Sequence, residues 1–227
     1  MAAFVGKSYK LAVYKHSLML EYRIRKAENN LTQSPVIFLI HGYGSNSEDL
    51  FSFAPYLPKN HTVIALEAPL SLAQGSYAWY QLYPKEDGTL ETKLNEAQNA
   101  LDLVIKNTEL LVDKYNLNPF DISVLGFSQG AMISWALAYS KSNKVRRIIA
   151  LSGFIHESID TSKSPEFVAY AAHGINDIVI SVEMARKSVL PLSRKYSEIE
   201  YYEFNDGHTV SNENFSKMLA WLEKTNL

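Results

Sequence analysis

The chain has 227 residues, 47% hydrophobic and 20% charged, with a formal net charge of −2; this is the mix of a folded protein able to bury a sizeable core, and it excludes disorder. That length fits one α/β domain, and with no break in composition a single domain over residues 1–227 is expected. Lys and Arg are scattered, which argues against a nucleic-acid partner, and the absence of cysteine excludes disulfides, thiolate nucleophiles and Cys-containing zinc sites.

From the N-terminus, Met1 to Leu20 carries Lys7, Lys10 and Lys15 and has no uninterrupted apolar run. Neither a secretory leader nor a spanning segment is expected, which makes a cytoplasmic protein without stable membrane insertion the default. Tyr9, Leu11 and Val13, then Leu18, Leu20 and Tyr22, alternate as in an antiparallel hairpin, so Tyr9–Arg25 is expected at a sheet edge. Six short apolar runs follow: Val36–Ile40, Thr62–Leu66, Ile122–Leu125, Val145–Leu151, Glu166–Ala172 and Ile199–Phe204. Near-continuous apolar runs separated by helical patterns predict a mostly parallel central sheet with helices on both faces, an α/β fold, because parallel strands need crossover connections.

The clearest helix has Leu94, Ala97, Leu101, Val104, Ile105, Leu111, Val112 and Tyr115 at helical spacing, and Asn118-Pro119 blocks its continuation. Val182–Tyr196 predicts another helix, bent at Pro191, and Phe215, Met218, Leu219 and Leu222 mark a C-terminal amphipathic one. Pro69–Gly88 is long and without strong periodicity, as lids and binding loops often are.

The strongest motif is Gly126-Phe127-Ser128-Gln129-Gly130, between the run Ile122–Leu125 and a helical pattern opening at Ala131-Met132-Ile133. It reads as a nucleophile elbow, in which glycines two positions either side let strand and helix approach while the turn presents the serine. A serine hydroxyl needs a histidine to take its proton and a carboxylate to orient that histidine. In this architecture the order is serine, acid, histidine on loops after later strands, leaving His156, His173 and His208, since His16, His41 and His61 precede Ser128. His208, in Asp206-Gly207-His208 after the last strand, is the expected base. Asp177, just beyond the run Phe167–Ala172, is the expected acid; Asp206 suits a turn, Glu157 and Asp160 are the fallback, and His173 suits positioning Asp177. The oxyanion donors expected are the backbone amides of Tyr43, in His41-Gly42-Tyr43-Gly44, and of Gln129, with no part required of either side chain.

These residues resemble the phospholipase/carboxylesterase family of α/β-hydrolases, which includes bacterial carboxylesterases and acyl-protein thioesterases. The resemblance spans most of the chain. It rests on Phe38-Leu39-Ile40-His41-Gly42-Tyr43-Gly44, Leu125-Gly126-Phe127-Ser128-Gln129-Gly130-Ala131-Met132, Leu151-Ser152-Gly153, His173-Gly174 before Asp177, and Gly207-His208. It implies a small serine esterase with a minimal lid, no metal and no organic cofactor, acting on small acyl esters, lysophospholipids or thioesters of short to medium chain. Tyr43 stands where many members carry leucine. Ala78-Trp79-Tyr80-Gln81-Leu82-Tyr83 is similar to the family's aromatic loop beside the acyl pocket, where Trp79 would supply apolar wall and Tyr83 an amphipathic rim; the alternative is that these rings cover the core.

The rival from another class is a catalytically silent α/β-hydrolase that binds a small molecule or a partner. The joint presence of Ser128, Asp177 and His208 weighs against it. Dehalogenase chemistry needs aspartate at the elbow, and dienelactone-hydrolase chemistry ordinarily needs cysteine. Physiological substrate and oligomeric state are not legible in the sequence, so a homodimer stays open.

Overall fold

The computed structural model describes residues 19–28, 31–85, 90–140 and 144–225. Its central sheet has seven strands: β1 (Tyr22–Arg25), β2 (Val36–Ile40), β3 (Thr62–Leu66), β4 (Ile122–Phe127), β5 (Val145–Leu151), β6 (Val168–Gly174) and β7 (Ile199–Phe204). The spatial order is β1-β3-β2-β4-β5-β6-β7. β1 is antiparallel, with Tyr22 opposite Leu66 and Arg25 opposite Val63. The other six pair in parallel.

The parallel sheet explains the apolar runs. Every residue of β2 and β3 is buried, because helices lie on both faces and side chains point alternately to each. One face carries Val36, Phe38, Ile40, Ile64, Leu66 and Val124. Residues of α2 (Leu94–Lys114), α3 (Gln129–Ala138) and α5 (Leu190–Lys195) share that cluster. The other face carries Ile37, Leu39, Val63, Ala65 and Leu125, packed with residues of α1 (Ser47–Phe51) and α6 (Asn212–Lys224). Each fully buried Val, Leu or Ile contributes about 1.5–3 kcal/mol relative to exposure. Among the described residues no helix is long and apolar enough to cross a membrane.

Four boundaries differ from the sequence expectation. β4 runs on to Phe127 because Gly126 still pairs with Ile40 and Ala150. β6 starts two residues late and ends two late; its ladder with β7 carries His173 opposite Glu203 and Gly174 opposite Phe204, so pairing rather than apolarity sets its ends. The helix expected over Val182–Tyr196 is two helices, α4 (Val182–Ser188) and α5, with Pro191 in the first turn of α5, where a missing amide costs no helical hydrogen bond. Residues 69–88 are not irregular throughout: Leu70–Ala73 and Ser76–Ala78 form a hairpin, with Gly75 at φ +70° in its turn. Tyr83–Pro84 pairs with Leu90–Glu91. Of the expected Tyr9–Arg25 hairpin, residues 9–18 lie outside the described residues, and Tyr22–Arg25 pairs with β3.

Two buried polar features anchor the sheet at the N-terminal ends of its strands. Arg147 on β5 is 1% exposed; its Nη1 donates to Asp121 Oδ1 (2.5 Å) and Ser123 Oγ (3.2 Å). Its Nε and Nη2 both donate to the Thr225 carbonyl (3.0 and 2.8 Å), tying the end of α6 to the sheet. Asp121→Ala leaves this guanidinium buried without its counter-charge. A loss of about 3–5 kcal/mol is expected in urea unfolding, whereas a loss under about 1 kcal/mol would mean that water replaces the carboxylate.

His61, also buried, has its pKa pushed down to about 4 by desolvation. The folded state therefore binds fewer protons than the unfolded chain between about pH 6.5 and 4, and stability falls as pH drops through that window. His61→Gln is expected to remove on the order of 2–3 kcal/mol from the stability difference between pH 7.5 and pH 4.5. Equal pH sensitivity in wild type and variant would contradict this assignment.

Candidate active site

Because the strands are parallel, the C-terminal ends of β2, β4, β6 and β7 open on the same edge of the sheet, where the loops after them meet. Ser128 lies between β4 and α3 with φ 55° and ψ −116°, a left-handed conformation that costs a non-glycine residue of order 1–3 kcal/mol. The surroundings over-determine it. Its amide donates to the Leu151 carbonyl (2.8 Å), and its carbonyl accepts from Ala131 and Met132 (3.0 and 3.2 Å). The flanking glycines are required by contact rather than by φ: a methyl on Gly126 would run into the Gly130 backbone, and one on Gly130 into the Ile40 carbonyl. The Gly-x-Ser-x-Gly spacing is the imprint of β2, β4 and α3 pressed together.

Two loops bring polar groups to Ser128. Asp177, with its side chain fully buried, follows β6. Its Oδ1 accepts from the amides of Val179 (2.8 Å) and Ile180 (2.9 Å). Its Oδ2 lies 2.7 Å from His208 Nδ1, and His208 Nε2 lies 3.0 Å from Ser128 Oγ. A carboxylate only accepts, so His208 carries its proton on Nδ1, leaving Nε2 to accept from the serine hydroxyl. The Asp177 and His208 loops are joined directly: Ile175 donates to the Phe204 carbonyl and Asn176 to the Asp206 carbonyl (both 2.9 Å).

His173 Nε2 donates to the Ile180 carbonyl (2.8 Å) and lies 3.3 Å from Asp177 Oδ2, against the carboxylate and away from the serine. Of the fallback acids, Asp160 is exposed and bonds to the Ser162 amide (3.0 Å) within its own loop.

The turn His41–Tyr43 lies against the serine: a methyl on Gly42 would be 3.1 Å from Ser128 Cβ. Among the described residues, neither the Tyr43 nor the Gln129 backbone amide donates to a protein acceptor. Tyr43 follows Gly42 in its loop, and Gln129 directly follows Ser128 and opens α3, whose N-terminal end is electropositive.

Trp79 is 1% exposed and locked in place. Its indole Nε1–H donates to the His41 carbonyl (2.8 Å), and its backbone amide donates to Gln129 Oε1 (2.9 Å). Gln129 Nε2 donates in turn to the Tyr80 carbonyl (2.9 Å). The Gln129 side chain, not required for the expected oxyanion donation, thus clasps the 79–80 segment. Tyr43 Oη accepts from Gln81 Nε2 (3.1 Å). Tyr83 sits beside the start of α2, its hydroxyl donating to Glu96 Oε1 (2.7 Å) and Lys93 Nζ 4.3 Å from its ring centre. His41, passed over in sequence because it precedes the nucleophile, is buried and neutral. Desolvation lowers its pKa, Nδ1–H donates to the Gly42 carbonyl (2.8 Å) and Nε2 accepts from the Ala68 amide (3.0 Å).

The model of the family described as Phospholipase/Carboxylesterase matches residues 24–226. The chain belongs to the phospholipase/carboxylesterase family. Like other members of this family it is an esterase-type serine hydrolase with the α/β-hydrolase fold. It is similar to "Acyl-protein thioesterase 1" of Kluyveromyces lactis, 23% identical over 221 residues that cover 88% of this chain and 96% of the relative. Among solved structures, the Bacillus cereus carboxylesterase superposes with a TM-score of 0.79 at 18% identity, over 92% of this chain and 95% of that one. Acyl-protein thioesterase 2 of Zea mays gives a TM-score of 0.70 at 21% identity, over 90% and 98%.

Trp79→Ala empties a core site and removes the indole donor from the His41 carbonyl, while the backbone amide at 79 that bonds Gln129 stays. A destabilisation of about 3–5 kcal/mol is expected from denaturant unfolding; a change under about 1 kcal/mol would mean the indole is not part of the core.

Proposed function

We propose that this family member hydrolyses carboxylic esters of short to medium acyl chain, with thioesters as a second substrate class, through an acyl-enzyme on Ser128. The single observation carrying this reading is the unbroken line of hydrogen bonds from Ser128 Oγ through His208 to Asp177, 3.0 and 2.7 Å long. In the first step Ser128 Oγ attacks the acyl carbon while His208 Nε2 takes its proton. The negative charge on the former carbonyl oxygen is received by the Tyr43 and Gln129 amides, neither of which donates to a protein acceptor among the described residues. The intermediate collapses, the C–O or C–S bond breaks, and His208 returns the proton to the leaving alcohol or thiol. Water then repeats the sequence on the acyl-enzyme, releasing the acid and restoring the serine.

Asp177 accepts from His208 Nδ1–H and holds the imidazole in the tautomer that accepts from serine. Its own orientation is held by the Val179 and Ile180 amides on the other carboxylate oxygen. The thioester class enters because relatives over most of the chain's length carry the name acyl-protein thioesterase. Tyr83, beside α2, is assigned to the rim of the acyl site rather than to the reacting centre. The chemistry draws on no metal or organic cofactor; the substrates are small acyl compounds.

With p-nitrophenyl esters from acetate to laurate, wild type is expected to turn over with an optimum at short to medium chain. Ser128→Ala and His208→Ala are expected to lose on the order of 10⁴-fold or more in kcat, and Asp177→Asn about 10⁴-fold. Ser128→Ala with wild-type turnover would remove Ser128 from the mechanism, and a wild type inert to every ester and thioester would instead favour a non-catalytic binding module.

A further inference from the structure

The two amides assigned to the oxyanion belong to different loops, Tyr43 after β2 and Gln129 at the head of α3. An oxyanion hole works only if both donors come within about 2.7–3.1 Å of one oxygen, so the spacing between these loops must be held. Trp79 touches both. Its backbone amide donates to Gln129 Oε1 (2.9 Å) and its indole Nε1–H donates to the His41 carbonyl (2.8 Å), one peptide before the Tyr43 amide. Gln129 Nε2 closes the clasp on the Tyr80 carbonyl (2.9 Å).

The far side of the His41 turn is fixed too, by the Ala68 amide on Nε2 and by Nδ1–H on the Gly42 carbonyl. All four residues of this network, His41, Trp79, Tyr80 and Gln129, are 3% exposed or less. In so dry a setting each polar atom must keep its partner, which makes the bonds obligatory rather than incidental.

We propose that Trp79, clasped by the Gln129 side chain, is a positioning residue: a strut that sets the distance between the Tyr43 and Gln129 amides. This rests on the catalytic reading given above. At 1% exposure Trp79 is assigned to the core rather than to contact with the acyl chain. Tryptophan suits the position because its ring fills the core while its single N–H reaches the His41 carbonyl from the ring edge. Phenylalanine fills most of the same volume but cannot hold the carbonyl. The strut acts only on the oxygen that becomes charged, so it belongs to the transition state more than to ground-state binding.

The test uses Trp79→Phe, Gln129→Met and the double variant of the full chain, assayed on one p-nitrophenyl ester. Inhibition by an alkylboronic acid, whose adduct with serine is tetrahedral, is measured alongside. A kcat lower by about 10- to 100-fold is expected in each single variant, with KM changed by less than about threefold. Boronate affinity should fall by about the same factor as kcat. The double variant should be no more than about threefold worse than the poorer single one, since both break one strut.

A folded Trp79→Phe with wild-type kcat and boronate affinity overturns the proposal, even if its melting temperature drops, because a packing role alone predicts that pattern. Should Trp79→Phe fail to fold, the same criterion applies to Gln129→Met. Fully multiplicative losses in the double variant also contradict a shared strut. Ser128→Ala, run in parallel, separates the two levels: turnover retained there sinks the catalytic reading, whereas loss there with wild-type Trp79→Phe sinks the strut alone.

Discussion

Ser128 is held in a left-handed backbone conformation where β2, β4 and α3 are in backbone contact, and the rest of the site is arranged around that point. The strained turn sets Ser128 at the sheet edge between the end of β4 and the first residue of α3. Its cost, of order 1–3 kcal/mol, is offset locally by the Leu151 carbonyl and the first turn of α3. Because β6 and β7 run parallel to β4, the loops after them emerge on the same edge and bring Asp177 and His208 within hydrogen-bond reach. The site therefore follows from strand direction as much as from the identity of three side chains.

The two edges of the sheet carry different burdens. At the C-terminal edge sit a left-handed serine, a carboxylate satisfied by loop amides, and donors left without protein acceptors. At the opposite edge the Arg147 guanidinium is fully spent on Asp121, Ser123 and Thr225, fastening two strands and the last helix. Interactions that hold the fold and groups kept available for chemistry are thus separated by the length of the strands.

Much of this was legible in the sequence because it is local or periodic. The run Val36–Ile40 reads as a strand buried on both faces, and Gly126 to Gly130 carries the steric signature of the elbow. Chain order leaves His156, His173 and His208, and the loops after the last strand and after Phe167–Ala172 point to His208 and Asp177. What escaped was set by partners distant in sequence. Gln129 reads as a backbone donor whose side chain is not required, yet that side chain bonds to backbone fifty residues away. Trp79 reads equally as pocket wall or core until the His41 carbonyl is found at its indole nitrogen. The ends of β6 are set by the ladder with β7, and the break between α4 and α5 by where a helix tolerates proline.

The proposed mechanism requires that Ser128, activated by His208, become covalently acylated. The most direct measurement is reaction of the wild-type chain with a fluorophosphonate, followed by intact mass and peptide mapping, with His208→Ala beside it. One equivalent of label on the peptide containing Ser128, at a rate that collapses in His208→Ala, is the predicted result. Label on another residue, or none on a folded wild-type protein, would contradict it.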